Sequence, residues 1–286
     1  MQIYNDINIS DEIFKSIEKY FYKRDKIKDD FDYSITELID SPRIVQLRRR
    51  YDSEISVPVS SLFPSWYGNI IHDTLQNVKT SKRITEVIDG KLISGEYDYF
   101  YKGILKDYKT TSVWKYIIGD LSSWSTQLNC YSYFLRDKKV DKLFIEAFFL
   151  DWNNNESLRI GNYPKAPQLK IPIYKMLDEY VFYYLVVRID EHEKNVVFYD
   201  EELSDCTSEE MWEKNATFAV KKEGQKKALR VLSSLEEAEE WADRKMREKK
   251  DNLFIEERPG ERVRCERFCQ VKDFCNQYRE YKNGST

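Results

Sequence analysis

Apolar residues recur along this chain at two different spacings, and the switches between them mark out its elements. Residues 10–24 (SDEIFKSIEKYFYKR) set Ile13, Ile17, Tyr20 and Phe21 at helical intervals behind a Ser10/Asp11 cap. The charged run 23–32 that follows reads as a solvated connector. A short helix starts near Ser34 and stops ahead of Pro42, because the residue before a proline avoids the helical region. A second helix starts at Ser41-Pro42-Arg43 and ends in Arg48-Arg49-Arg50; those cations suit a helix C-terminus, or would touch phosphates. Residues 66–78 (WYGNIIHDTLQNV) form another helix, with Gly68 and His72 one turn apart on one face.

The spacing then shortens to alternation. Three strands, RITEVID, KLISGEYDYFY and ILKDYKTTSVW, are joined at Asp89-Gly90 and Lys102-Gly103. A helix over roughly 121–136, capped by Ser122 or Ser123, carries Gln127 and Tyr131 one turn apart. DKLFIEAFFLDW (141–152) is apolar enough for a central strand, and QLKIPIYKM (168–176) is a further one. The amphipathic helix LDEYVFYYLVVRIDEHEKN follows, with His192, near its polar end, structural or exposed. After Asp200 comes Cys206 and a capped turn at Thr207 or Ser208. Next stand a hairpin over 218–232 around Glu223-Gly224, a charged helix from Leu235 and the strand NLFIEERPG. This β-β-α-β pattern has the size of an insertion, which loop-closure entropy tolerates. Its lysines and Arg230 form a basic patch or simply a solvated hairpin.

The hairpin around Lys102-Gly103 gathers the most chemistry. A two-residue loop makes cross-strand partners sum to 205, setting Asp98 opposite Asp107 and Glu96 opposite Lys109. Alternation puts Asp107 and Lys109 on one face, where Asp98 meets them. Two facing carboxylates repel, and a divalent cation between them removes that penalty. A glycine bulge at Gly103 would shift the register by one and turn Asp98 away. In this reading Glu96 orients Lys109 from behind.

Composition narrows the class. The chain of 286 residues suits one core with insertions, and its net charge of −4 argues against a generally basic nucleic-acid binder while leaving local fields open. No stretch approaches the roughly 20 apolar residues of a membrane span, and the N-terminus lacks a secretion signal, so we expect a cytoplasmic protein. Three of the five cysteines crowd into 265–275, which fits a metal site in a reducing compartment better than a disulfide framework.

The order Gly68-x-x-x-His72, Gly95-x-x-Asp98, Asp107-x-Lys109, Gln127-x-x-x-Tyr131 and then clustered cysteines resembles the RecB-like branch of the PD-(D/E)XK nucleases. That branch includes AddB and the CRISPR-associated RecB-family exonucleases. The resemblance covers about residues 34–151 and 262–278; phage-encoded members look similar over 206–260. It implies an α/β, restriction-endonuclease-like mixed central sheet flanked by helices. The corresponding division is a nuclease core with N-terminal helices over 1–200, a small β-β-α-β insertion over 201–260, and a cysteine-metal segment over 261–286 packing back on the core. It also implies a Mg²⁺- or Mn²⁺-dependent deoxyribonuclease, with DNA as partner, acting on ends or single strands in phage or prokaryotic DNA processing, recombination or defence. Protein partners in a recombination or CRISPR-related complex follow from the same likeness. In the family, residues at the positions of Gln127 and Tyr131 hold DNA or the lysine at the active-site mouth.

The residues support that chemistry on their own terms. Phosphodiester cleavage needs an activated water, charge neutralisation on phosphate and help for the leaving oxygen. Asp98 and Asp107 supply hard oxygen ligands beside the Tyr108 carbonyl, and His72 adds a nitrogen that favours accepting Mn²⁺. Lys109 would face the same phosphate and orient or deprotonate the water. Thr110, Thr111 and Ser112 would donate hydroxyls to phosphate or end the strand, the second being our reading for Thr111.

Cys265, Cys269 and Cys275 supply three soft ligands where a closed site needs four. Iron–sulfur members of the family carry a first cysteine ahead of the Pro-Arg segment, where this chain has Ser41. The fourth ligand is then Cys206 or Cys130, and we take Cys206, since Cys130 sits on the helix facing the nuclease site as a small apolar residue. The resemblance favours a 4Fe–4S cluster, with zinc as the alternative. Two rival functions remain: a nucleic-acid-binding adaptor that keeps the nuclease fold within a larger complex, and a cysteine-metal structural protein with incidental carboxylates.

Overall fold

A computed structural model describes residues 1–25, 31–76, 82–249 and 252–284. Parts of the charged connector (26–30), the end of the Gly68 helix (77–78) and the end of the charged helix (250) lie outside the described residues. The chain divides into two units, Met1–Ser204 and Asp205–Thr286. Both mix helices with sheets, so the protein is α/β.

Strand β1 (Gln2–Tyr4) and helix α1 (Asp11–Asp25) open the first unit. β2 (Tyr33–Ser34) runs into α2 (Ile35–Leu38), whose start is fixed by a capping box between Ser34 and Glu37. α3 (Pro42–Arg50) begins with proline at its first turn, where the missing N–H is harmless. β3 (Ser56–Pro58) pairs in parallel with β1, a contact the sequence pattern did not announce. α4 (Phe63–Gln76) leads to β4 (Lys82–Ile88) and β5 (Lys91–Tyr97), which form a three-stranded sheet in the order β2-β5-β4.

At Asp98 the chain bends and continues as β6 (Tyr99–Tyr101), which belongs to a second sheet with β7 (Ile104–Thr111). Lys102 and Gly103 both have positive φ (47° and 75°), the backbone of a two-residue hairpin turn. The ladder Tyr99↔Lys106, Phe100↔Leu105, Tyr101↔Ile104 therefore keeps the expected register. α5 (Val113–Ile118) is capped by the Ser112 side chain, and α6 (Ser122–Phe134) follows. α6 is preceded by Leu121 rather than capped by a serine; the Ser122 hydroxyl bonds Asp120 instead. β8 (Lys142–Phe149) pairs in parallel with β7 and antiparallel with β9 (Gln168–Ile173), which makes β8 an inner strand of the order β6-β7-β8-β9. α7 (Asn154–Arg159) lies between β8 and β9.

The last helix of this unit, α8 (Asp178–Val196), buries Val181, Leu185, Ile189 and His192, one stripe at helical spacing. Its Arg188 donates to the Leu38 carbonyl at 2.7 Å and to that of Asp40, pinning α2. The arginine run of α3 is engaged internally. Arg48 meets Asp40 at 3.5 Å, Arg49 meets Glu37 at 3.1 Å, and Arg50 meets Asp200 at 2.6 Å.

His192 is fully buried against the Tyr33 ring, with no well-formed hydrogen bond to either ring nitrogen. Burial first, and the Arg188 charge second, push its pKa down to about 4. Between the ordinary imidazole value and pH 4 the unfolded chain therefore binds a proton that the folded chain does not. Stability is complete above pH about 6.5 and falls on acidification through that window, by on the order of 3 kcal/mol for this group. Urea midpoints measured across the window should show the loss, and His192→Leu should flatten it. Parallel curves for the two proteins would assign the acid sensitivity elsewhere.

In the second unit, β10 (Glu213–Lys214) precedes a three-stranded sheet of β11 (Thr217–Lys222), β12 (Arg230–Leu232) and β13 (Leu253–Arg258), ordered β12-β11-β13. Helix α9 (Leu235–Lys249) sits between β12 and β13 in sequence and covers one face through Ala238 and Ala242 against Val220. β14 (Glu261–Arg262) pairs with β10, and α10 (Val263–Arg267) and α11 (Asn276–Gly284) end the described chain. No helix among the described residues is long and apolar enough to cross a membrane.

Candidate active site

The site lies where the first two sheets part. Continuing the β6–β7 ladder by two residues would set Tyr97 opposite Tyr108 and satisfy the Tyr108 main chain. Instead β5 has turned away to pair with β4, with Lys82 opposite Tyr97. Buried main-chain groups must find other partners. The Tyr108 N–H donates to Asp98 Oδ2 at 2.6 Å, and His72 Nε2 stands 3.0 Å from the Tyr108 carbonyl. His72 Nδ1 is 3.0 Å from Asp98 Oδ1. One carboxylate and one imidazole thus fill the gap left by a strand.

Each neighbour is placed by an identifiable feature. Gly68 brings α4 against β7: a Cβ there would stand 2.8 Å from Thr110 Oγ1. One turn later His72 reaches the fork. Asp107 and Lys109 project from the same face of β7, where Lys109 Nζ lies 2.8 Å from Asp107 Oδ2 and donates to Gln127 Oε1 at 2.7 Å. Gln127 Nε2 in turn donates to the Tyr131 hydroxyl at 2.8 Å. Gly95 leaves room for the Tyr131 ring, since a Cβ would meet its Cε1 at 2.7 Å. His72, Asp98, Asp107, Tyr108, Lys109, Gln127 and Tyr131 are therefore brought together.

Electrostatics at this spot are those of two carboxylates taken out of water. Asp98 and Asp107 are 7% and 4% exposed. Burial pushes the Asp107 carboxyl above its ordinary range against the pull of Lys109, and the nearby Asp98 charge adds to the rise. For His72, burial disfavours the charge, but the Asp98 hydrogen bond and the charges of Asp98 and Asp107 outweigh it, so its pKa is raised. Burial pushes the Tyr131 phenol far up, keeping it a neutral hydrogen-bonding group.

Asp107 Oδ2 is buried and, despite the ammonium 2.8 Å away, has no hydrogen bond of acceptable geometry. An oxygen in that condition suits a metal ligand, as does the surrounding donor set of two carboxylates, an imidazole and a carbonyl. Among the described residues, no three His, Cys, Asp or Glu side chains are gathered in a coordinating arrangement. Here they are paired off, Asp98 with His72 and Asp107 with Lys109.

Glu96 departs from expectation. The bend at Asp98 breaks the ladder before it, so Glu96 faces Arg83 (3.6 Å) on the outer sheet instead of Lys109. Thr111 ends β7 and the Ser112 side chain caps α5.

No disulfide joins any of the five cysteines. Cys130 is packed in the core of the first unit, where burial pushes its thiol up to about 12. Burial, then the neighbouring Cys269 and Cys275, push the Cys265 thiol up to about 11. Cys206 exchanges two main-chain hydrogen bonds with the Gln277 side chain, at 2.9 and 3.0 Å.

No protein-family model and no curated protein matches the sequence. The solved structure "Crystal structure of SSO0001" aligns with 68% of this chain and 92% of that chain, at 17% identity and a TM-score of 0.47. That likeness is too loose to carry an argument.

Proposed function

We propose that this protein is a Mg²⁺- or Mn²⁺-dependent deoxyribonuclease of the RecB-like PD-(D/E)XK type, with a restriction-endonuclease-like core, acting on DNA ends or single strands. The observation that supports this reading is a pair of contact chains that meet at the adjacent residues Asp107 and Tyr108 of β7. One runs from His72 through Asp98 to the Tyr108 main chain, and the other from Asp107 through Lys109 and Gln127 to Tyr131. A decorated surface hairpin would leave these carboxylates exposed, whereas Asp98 and Asp107 are buried.

His72, Asp98, Asp107 and the Tyr108 carbonyl would hold the cation, which supplies Lewis-acid stabilisation of phosphate charge and a more acidic water. The protein's own part is positional. Lys109, anchored on both sides, presents its ammonium to the phosphate and the attacking water. Water oxygen bonds to phosphorus as the bond to the leaving sugar oxygen breaks; the attacking water gives up one proton to solvent, and solvent water returns one to the leaving oxygen. Gln127 and Tyr131 keep the Lys109 side chain from swinging away.

The test is cleavage of end-labelled single- and double-stranded DNA by the purified full chain. Products should form with Mg²⁺ or Mn²⁺ and vanish with chelator. Tight DNA binding without cleavage under either metal would instead identify an adaptor.

A further inference from the structure

A parallel strand pair is ordinarily covered on both faces. β7 and β8 pair in parallel, yet only one of their faces carries the core, through Leu105, Leu143, Ile145 and Ala147. The alternate residues point the other way. Of these, Lys106, Tyr108, Phe144 and Phe148 are only half-buried, and Lys142 is exposed. The strand register carries this face onto β6 through Tyr99 and Tyr101, and onto β9 through Gln168 and Lys170. Tyr99, Tyr101, Tyr108, Phe144 and Phe148 all lie outside the core on the far side, and Tyr101 is 47% exposed. An open apolar surface of this kind marks a place where something binds.

Aromatic rings and lysines interleave on that face. Lys106 Nζ lies 5.1 Å from the Tyr99 ring centre, Lys102 Nζ 5.3 Å from that of Tyr101, and Lys170 Nζ 3.8 Å from that of Phe144. The register sets Tyr99 and Phe144 on either side of Lys106 in one row across the sheet, about 10 Å apart. Lys142 stands in the next row, opposite Ile104. The carboxylate of the face itself is Glu146, 2.7 Å from Lys106, and Asp141 sits at its margin beside the Gly103 turn. In a chain of net charge −4, this surface is therefore locally positive.

Tyr108 joins the face to the active site. Its main chain meets Asp98 and His72, while its ring lies 5.9 Å from the His72 ring and 6.4 Å from that of Phe148. A protein partner fits poorly, because interface cores are depleted of lysine. Rings that stack on bases, each beside an ammonium that neutralises a phosphate, suit an unpaired nucleic-acid strand. A duplex hides its bases from such rings. We propose that this face is a stacking platform for the unpaired strand of the DNA substrate, which passes from it to the site at Tyr108. Lys170 is exposed, so its ammonium moves to a phosphate as a base takes its place over Phe144. That the bound strand is then cut rests on the nuclease reading; that it binds here does not.

With chelator present, the full chain should bind a fluorescent oligothymidylate about tenfold or more tighter than a duplex of equal length. Tyr101→Leu and Phe144→Leu, which keep apolar bulk, should each weaken that binding about tenfold, while Tyr101→Phe and Phe144→Tyr keep it. Lys142→Gln and Lys170→Gln should each lower the salt slope of the binding constant by about 0.7. An iodouracil-substituted strand should photocross-link wild-type chain within β6 or β8, a readout that needs no variant to fold. Equal affinity for duplex, leucine variants that bind as wild type does, or cross-links confined to other elements would each overturn the proposal. Wild-type chain that binds the strand through this face yet cuts with neither metal would refute the nuclease reading alone. Chain that cuts duplex ends without preferring a single strand would refute the platform alone.

Discussion

Lys109→Ala should reduce DNA cleavage by about 10²–10³-fold or more in single-turnover assays, the scale of losing one preorganised charge stabiliser. The fold should survive, because Lys109 is half-buried and is not part of the hydrophobic core. The loss reaches beyond one cation. Lys109 is the partner that opposes the burial-driven rise of the Asp107 pKa, so its removal favours a protonated, neutral Asp107. Asp107→Ala should therefore be about as inactive as Lys109→Ala, and the double variant no worse than either, as for residues acting as a unit. Gln127→Ala removes only one of the two groups that hold the ammonium and should cost about tenfold. Full activity in Lys109→Ala with native circular dichroism would refute the assignment.

This arrangement was partly legible in the sequence because the hairpin turn is. Lys102-Gly103 between two strand-forming runs admits few loop types, and once the loop has two residues the register follows. The apolar run in 141–152, which forms the inner strand β8, and the amphipathic helix that became α8 were equally readable. The fork at Asp98 was not. A sequence pattern describes 91–101 as one strand, and only tertiary competition between β4 and β7 for its edges shows where it must part. Glu96 was misplaced for that reason: it lies on the β4 side of the bend, facing Arg83. His192 was left undecided because a histidine between Glu191 and Glu193 looks solvated, and its neighbour Tyr33 is 159 positions away in sequence. The β1–β3 pairing is likewise non-local, between strands of three residues each whose patterns are too short to register. The arginine run illustrates the opposite case, in which a suggestive cluster is absorbed by internal carboxylates.

Gly95→Val should both destabilise the first unit and disable the site. A Cβ at position 95 would stand 2.7 Å from Tyr131 Cε1 and 2.8 Å from Ile35 Cδ1, both on side chains that are almost fully buried. The Ile35 methyl can turn about its own side chain, but the Tyr131 ring is rigid and meets the Cβ with two of its atoms, so the backbone or the ring must move. Overpacking of this kind costs roughly 1–3 kcal/mol, and two branched methyl groups put valine at the upper end. The Tyr131 hydroxyl accepts from Gln127, which holds Lys109, so a displaced ring also loosens the ammonium. Activity should then fall by more than the folded fraction explains. Gly68→Ala is the gentler comparison, because its Cβ meets a threonine hydroxyl that can rotate away. The discriminating variant is Gly95→Val combined with Tyr131→Ala. Tyr131→Ala is itself destabilising, but in that background valine should cost much less of the urea midpoint than it does beside the ring, a coupling expected only of residues in contact, while cleavage stays low for want of the Tyr131 hydroxyl. Additive destabilisation in that double variant would mean that the two residues do not touch.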